Sequence, residues 1–361
     1  MKCCNILKSL KLILVSSVFL SINVYANDVD FSTTELDKYL LVGQVDAKIA
    51  EGVKASNQEL GRVSKLPDSA PAVTGPGIGP EVSDTPTYDG NVAITSNPGK
   101  VNMSDMDVYG SIGVDCASSW KKCADKGGFF SNTKYDQAAG GAGLTDIDRN
   151  NGVNVDVDLS ALTSEIGTAK DQIANLSAET FITTDSGLID QDTVVQLEDG
   201  LNVISFSGVG DNDVLLDNSN LIFQGGIDSM AIVIVPESSN FLVSQGNLVI
   251  GDGGIGLNNV LIVTLKDDND THIDLQNSIV NGVALWDLSM GEGEVSFDNV
   301  GGCTQVVGDK LNFNDVNLNR CGFSPSAITP SPVPVPAAIW LFGTGLATFI
   351  GLRKKANIVK S

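Results

Sequence analysis

From residue 181 to residue 323 short apolar runs recur along the chain: LNVISF (201–206), NLIFQG (220–225), MAIVIV (230–235), NLVIG (247–251), NVLIVTL (259–265), GVALWDL (282–288), EVSFDNV (294–300) and KLNFNDVNL (310–318). Turns made of Gly, Asp, Asn and Ser separate them, which predicts a series of short β-strands. The last run alternates, with Leu311, Phe313, Val316 and Leu318 facing inward and Asn312, Asn314, Asn317 and Asn319 facing outward, and its phase shifts once at Asp315. This pattern predicts a mainly β chain, an irregular right-handed β-solenoid. The runs that start at Asn202, Asn220, Asn247 and Asn259 lie 18, 27 and 12 residues apart. Such spacing is no clean repeat and leaves a β-sandwich as the alternative.

One segment follows a different period. In DLSALTSEIGTAKDQIANLSA the apolar positions Leu159, Leu162, Ile166, Ala169, Ile173 and Leu176 follow helical spacing, with Asp158 or Ser160 available as the N-cap. A long helix over 159–177 is predicted, its oily stripe lying along the solenoid and its other face carrying Glu165, Lys170 and Asp171. Before it, residues 90–157 hold strand candidates such as Val101 to Val108, and together with 181–323 they form one β-rich passenger domain, 90–323. Residues 66–89 are rich in Pro, Gly, Ser and Asp and read as a loop. They separate the passenger from an N-terminal segment, 27–65. The GPGIGP within that loop is no phosphate cradle, because no strand precedes it and its prolines lack the N–H donors such a cradle needs.

The two ends of the chain carry targeting patterns. Residues 1–26 place Lys2, Lys8 and Lys11 ahead of an apolar stretch and end in Val24-Tyr25-Ala26, the form of a cleavable signal peptide. Cys3 and Cys4 would leave with it. At the other end a Pro-rich linker, 324–336, leads into a tail, 337–361, whose run from Ala337 to Leu352 holds 16 uncharged residues. As a helix that run would span about 24 Å at ~1.5 Å per residue, short of a hydrocarbon core of ~30 Å. Arg353, Lys354 and Lys355 then stop it on the cytoplasmic side.

The order Val333, Pro334, Pro336, Ala337, then Trp340, Leu341, Phe342, Gly343, Gly345 and Leu346, closed by Arg353 to Lys355, resembles the PEP-CTERM sorting signal of Gram-negative bacteria in its VPxPAA–WLFG variant. Val335 stands where the usual signal has Glu, and Ala356 to Ser361 extend beyond the basic stop. The resemblance implies export through the inner membrane, transient insertion by the tail, handling by an exosortase, and release to the cell surface or extracellular matrix. The helix followed by LEDGLNVISF, with a later NGVALWDLSM, is loosely similar to choice-of-anchor A passengers, for which no catalytic set can be carried over.

Composition agrees with that destination. With the leader and tail removed, 15 basic residues remain against 44 acidic, a net charge of −29. Such a chain repels nucleic acid, which is no expected partner, and favours solubility. In an oxidising compartment the four remaining cysteines read as two local disulfides, Cys116 with Cys123 and Cys303 with Cys321. A zinc site is the poorer reading, since the chain has a single histidine. That residue, His272, lies beside a polar turn and is expected to be an exposed strand residue.

Paired carboxylates for glycoside hydrolysis could come from Asp267, Asp268 and Asp270 or from Asp211, Asp213 and Asp217, although solvated turns are the commoner use of such runs. Asp146, Asp148 and Asn150 alternate as oxygen donors do in a calcium loop, but Gly152 falls one place late and Val157 stands where a bidentate Glu belongs. No other cofactor is indicated. The reading that follows is a secreted, non-enzymatic structural or adhesive protein of the extracellular matrix, with extracellular polysaccharide as a partner. A polysaccharide-binding or polysaccharide-degrading protein is the alternative.

Overall fold

The computed structural model describes residues 34–44, 53–60, 90–95, 101–115, 129–131, 134–135, 145–146, 154–155, 158–268, 270–289 and 293–323. In chain order the strands are β1 (Leu41–Gln44), β2 (Val53–Leu60), β3 (Val92–Thr95), β4 (Val101–Val108), β5 (Ile112–Val114), β6 (Phe129–Ser131), β7 (Lys134–Tyr135), β8 (Thr145–Asp146) and β9 (Asn154–Val155). Helix α1 (Ser160–Ala174) follows, then β10 (Thr180–Thr183), β11 (Leu188–Ile189), β12 (Thr193–Gln196), β13 (Gly200–Ser207), β14 (Val214–Asp217), β15 (Asn220–Gln224), β16 (Ser229–Ile234), β17 (Phe241–Ser244) and β18 (Asn247–Ile250). The last strands are β19 (Val260–Thr264), β20 (Thr271–Asn281), β21 (Val283–Asp287), β22 (Glu294–Thr304), β23 (Val306–Gly308) and β24 (Lys310–Arg320).

These strands wind into a β-solenoid. Each coil contributes one strand to a ten-stranded first sheet, ordered β10-β13-β16-β19-β21-β23-β1-β3-β5-β9, and one to a second, ordered β11-β14-β17-β20-β22-β24-β2-β4-β7-β8. A third side begins with β12, β15 and β18 and continues on the far half of β20, because β18 pairs with Ile279, Val280 and Asn281. Among the described strands all the pairings are parallel except that of β7 with β8. A sandwich of antiparallel hairpins is therefore not the architecture. Leu216, Phe241, Ile262, Leu285, Phe297 and Phe313 are among the residues that fill the interior.

The irregular asparagine spacing has a simple cause. Asn220 and Asn247 are register partners on the third side. Asn202, paired with Ala231, belongs to the first sheet, and Asn259 lies just before that sheet's β19. Two columns were interleaved along one chain. Coil length also changes: Gly200 faces Ser229 and Ala231 faces Val260, whereas Val260 faces Val283 and Leu285 faces Val306.

Chain order and spatial order differ in one further respect. β1 lies between β23 and β3, so the N-terminal segment is built into the same solenoid as the passenger strands, directly upon the coil formed last in sequence. Gln305 holds this junction: its Nε2 donates to the carbonyls of Leu36 (2.8 Å) and Tyr39 (3.0 Å), while its Oε1 accepts from Trp286 Nε1 (3.2 Å) and Phe323 N (3.3 Å). The disulfide Cys303–Cys321 closes the same region. Cys116 and Cys123, the calcium candidates Asp148 and Asn150, and the whole sorting tail lie outside the described residues, while Asp146 ends β8.

Because β9 and β10 occupy opposite edges of the first sheet, the chain between them must return along its length. Helix α1 is part of that return. Its Leu162, Ile166, Ala169 and Ile173 are buried, as the periodicity predicts. Asp158 Oδ1 accepts the N–H of Ser160 (3.0 Å), and the helix ends at Ala174, short of residue 177. Glu165 Oε2 accepts the N–H of Glu35 (2.8 Å), which ties the helix to the 3-10 turn Leu36–Lys38.

Candidate functional site: a polar corner and an open sheet face

Two features carry the polar chemistry of the described residues. The first is the corner between the first and second sheets. The second is the outer face of the second sheet.

At the corner, successive coils are joined by a chain of side-chain bonds. Asp213 Oδ1 accepts from Asn240 N (2.9 Å), and Asn240 Oδ1 accepts from Lys266 Nζ (2.8 Å). Lys266 Nζ also pairs with Asp268 Oδ2 (3.0 Å), and Asp268 Oδ1 meets His272 Nε2 (2.8 Å). His272 Nδ1 lies 3.1 Å from both oxygens of Asp287. Asp287 Oδ1 accepts from Ser289 N (3.0 Å), and the Ser289 hydroxyl reaches Asp309 Oδ2 (3.4 Å).

His272 is thus buried rather than exposed, with none of its surface open to solvent. The reason is a β-bulge. Register runs from Thr271↔Glu294 directly to Ile273↔Val295, so His272 is an extra residue on β20 and leaves the alternation of the strand. Its partner Asp287 comes from the next coil and is also fully buried. A Cβ at position 293 would collide with the His272 ring and the Asp287 carboxylate, so glycine there permits the close packing. Alternation predicts an exposed ring, and only the bulge and the neighbouring coil overturn that expectation.

The electrostatics follow from these contacts. The hydrogen bond from His272, aided by Lys266, holds the Asp268 carboxyl down at about 2. Burial opposes a charge on His272, but the Asp287 and Asp268 carboxylates outweigh it and raise its proton affinity above the ordinary imidazole value. Asp268 is therefore a poor general acid, because a glycosidase acid must keep its proton near neutral pH. Asp213 and Asp270 are likewise engaged, by Asn240 N and by Thr271 N (2.9 Å), while Asp211 and Asp267 are exposed on the turns.

The second sheet presents a different surface. Its inward residues Val214, Phe241, Ile273, Val295 and Leu311 belong to the core. The alternate residues Leu215, Leu242, Asp274, Ser296 and Asn312 are partly exposed and stand in one register line across five coils. A second line runs through Asp217, Ser244, Gln276, Asp298 and Asn314. Neighbours along the strand lie ~7 Å apart and neighbours across strands ~4.8 Å, so the two lines form a regular grid. Gln276 Nε2 donates to Asp274 Oδ2 (2.8 Å), Asn314 Nδ2 to Asp298 Oδ1 (2.7 Å) and Asn312 Nδ2 to Glu294 Oε1 (3.1 Å). The carboxyl of Asp274 is raised, first by burial and then by the charges of Glu294 and Asp298.

At the end of this face the chain turns through left-handed residues. Asn218 (φ 47°), Gln245 (53°), Asn277 (52°), Asn299 (55°) and Asp315 (52°) each follow a residue of the second line. The phase shift read at Asp315 is this turn, repeated coil after coil. Asn299 Nδ2 donates to Asn277 Oδ1 (2.8 Å) between two of its rungs. Just beyond it on three earlier coils, Asp192 Oδ1 receives Asn220 Nδ2 (2.8 Å), Asn220 Oδ1 receives Asn247 Nδ2 (2.6 Å), and Asn247 Oδ1 receives the N–H of Ile279 (3.0 Å).

No group of His, Cys, Asp and Glu suited to a metal ion occurs among the described residues, and no helix among them is long and apolar enough to cross a membrane. The chain matches no known family and no curated protein. Among solved structures it is similar to an ice-binding protein from an Antarctic biological consortium, at 9% identity and a TM-score of 0.40, over 80% of this chain and 91% of that one. It is also similar to the ice-binding protein LeIBP from Arctic yeast, at 12% identity and a TM-score of 0.39, over 83% of this chain and 97% of that one.

Proposed function

We propose that this protein is a non-enzymatic structural or adhesive component of the cell surface or extracellular matrix, and that it meets extended polymers with the outer face of its second sheet. The observation that carries this reading is the grid of Leu215, Leu242, Ser296, Asn312 and their neighbours. It offers apolar and hydrogen-bonding groups in register lines across five coils. The polar corner serves cohesion in this reading, since its carboxylates are taken up by Asn240, Lys266 and His272.

Export by residues 1–26 and sorting by the tail from Val333 to Lys355 belong to the same proposal. The exosortase and the secretion machinery are then transient partners, and extracellular polysaccharide is the lasting one. The protein recovered from the matrix of a Gram-negative host with a working exosortase should lack the chain from about Ala337 onward by intact mass. Recovery of only the uncut chain, held in the inner membrane, would sink the sorting proposal.

The face is tested by co-sedimentation of the processed protein with insoluble matrix polysaccharide, for wild type and for a Leu215→Asp, Leu242→Asp double variant. Retention of the wild type and loss in the variant is the expected result. Equal retention would exclude this face, and retention on ice instead of polymer would redirect the reading to a crystalline water surface.

A glycoside-active protein is the second reading, and Asp274 favours it, because its raised carboxyl stands near Glu294 and Asp298 as a general acid would. Release of reducing ends that disappears in Asp274→Asn would establish that reading. Calcium remains a candidate ligand at Asp146, Asp148 and Asn150. A rise in melting temperature with millimolar calcium beyond that of sodium at matched ionic strength would support it.

A further inference from the structure

We propose that His272 is a protonated strut, an imidazolium that ties the corners of consecutive coils together and whose deprotonation as pH rises loosens that corner. The geometry suits a cation. Nε2 faces Asp268 at 2.8 Å and Nδ1 faces both oxygens of Asp287 at 3.1 Å. A neutral imidazole has one N–H, so one of its nitrogens would turn a lone pair toward a carboxylate. Asp287 is fully buried, and the N–H of Ser289 is its one other hydrogen-bond donor described here. An ionised Asp287 facing a neutral ring would have no countercharge among the described residues, a costly arrangement. Lys266 cannot substitute, since its ammonium is engaged by Asp268 and Asn240 on the other side.

The surrounding charges are those of Asp287 on β21 and of Lys266, Asp268 and Asp270 on the turn before β20. Glu294 stands opposite Thr271 with Lys310 beside it, and Asp309 is reached through Ser289. Acids outnumber bases in this set. Burial weakens the hold on the proton, and the two contacting carboxylates more than restore it, so the folded ring binds its proton above the ordinary value of 6.5. A folded affinity above the unfolded one contributes stability in full below 6.5, and that contribution is lost as pH rises through the folded value. Asp268 closes the lower side of the window. Held at about 2 against an ordinary 3.8, its contribution is present above 3.8 and is lost only as pH falls through about 2.

His272 is the one histidine of the chain, so an untagged protein reports on it without assignment. Nitrogen-15 NMR of the ring should show both nitrogens protonated below pH 6.5 and a titration midpoint above that value. The melting temperature of the wild type should fall more steeply than that of His272→Gln as pH rises above 6.5, because only the wild type has this proton to lose. A ring that titrates at or below 6.5, or parallel pH profiles for the two proteins, would overturn the strut. If His272→Gln does not fold, Asp268→Asn keeps the ring and Asp287 in place and should lower the ring midpoint. An unchanged midpoint in that variant would equally overturn the proposal.

Discussion

The first and second sheets are wound from the same coils, yet their sequences obey different rules. Strands β16, β19 and β21 carry the apolar runs MAIVI, VLIV and VALW, and each strand is buried on both faces apart from Ile234. Strands β14, β17, β22 and β24 alternate, as in VLLD, FLVS, EVSFD and KLNFN, and are buried on one face. A strand covered on both sides must be apolar at every position, whereas a strand open to water on one side needs apolar residues only at alternate ones. The outward residues Ile232, Leu261, Ala284 and Trp286 of the first sheet have virtually no exposure and need a cover, and the apolar stripe of α1 is suited to supply part of it. Coverage divides a packed side from a presenting side.

The sharpest test of that division is a pair of truncations. Trp286 is fully buried, meets Phe323 edge-on at 5.7 Å and donates to Gln305. Trp286→Ala should cost about 3–5 kcal/mol in urea unfolding, as large-to-small changes in a core do. Ser296→Ala on the open face should move stability by no more than ~0.5 kcal/mol. Similar losses at the two positions would mean that the second sheet is covered as well.

Next in size is the disulfide. Cys303→Ala with Cys321→Ala should lower stability by about 2–4 kcal/mol, chiefly by freeing the unfolded chain. Non-reducing peptide mapping of the wild type should recover the Cys303–Cys321 pair. A free thiol at either position would contradict it.

A smaller effect is expected at the left-handed column that ends the open face. Asn299 at φ 55° tolerates that conformation, while a β-branched side chain does not. Asn299→Val should cost about 1–3 kcal/mol, and Asn299→Gly should cost less, because glycine adopts positive φ freely. Equal costs for the two would show that the bond to Asn277 matters more than the backbone angle.

Much of this was legible in the residues. The strand runs from LNVISF to KLNFNDVNL all became strands, and the stripe Leu162, Ile166, Ala169 and Ile173 became the buried side of a helix. The phase shift at Asp315 falls on a residue with left-handed backbone. The open face was only half legible: in LNFN the alternation is plain, but nothing local shows that Asn312 stands in line with Ser296, Asp274 and Leu242. His272 was misread outright, because a one-residue bulge cancels the period-two rule on which the reading depended.

Local pattern therefore determined that the runs from LNVISF to KLNFNDVNL extend and that the stripe from Leu162 to Ile173 coils into a helix, since those choices rest on side-chain spacing within a few residues. The tertiary structure alone decided the order in which the coils stack. β1 packs against β23 although most of the chain separates them, and Gln305 bonds Leu36 across that distance. It also decided that Asp287 would meet His272 and that one sheet would be covered while the other stayed open. Such pairings depend on where a parallel coil places residues of distant segments, and backbone hydrogen bonding between strands is indifferent to their separation along the chain.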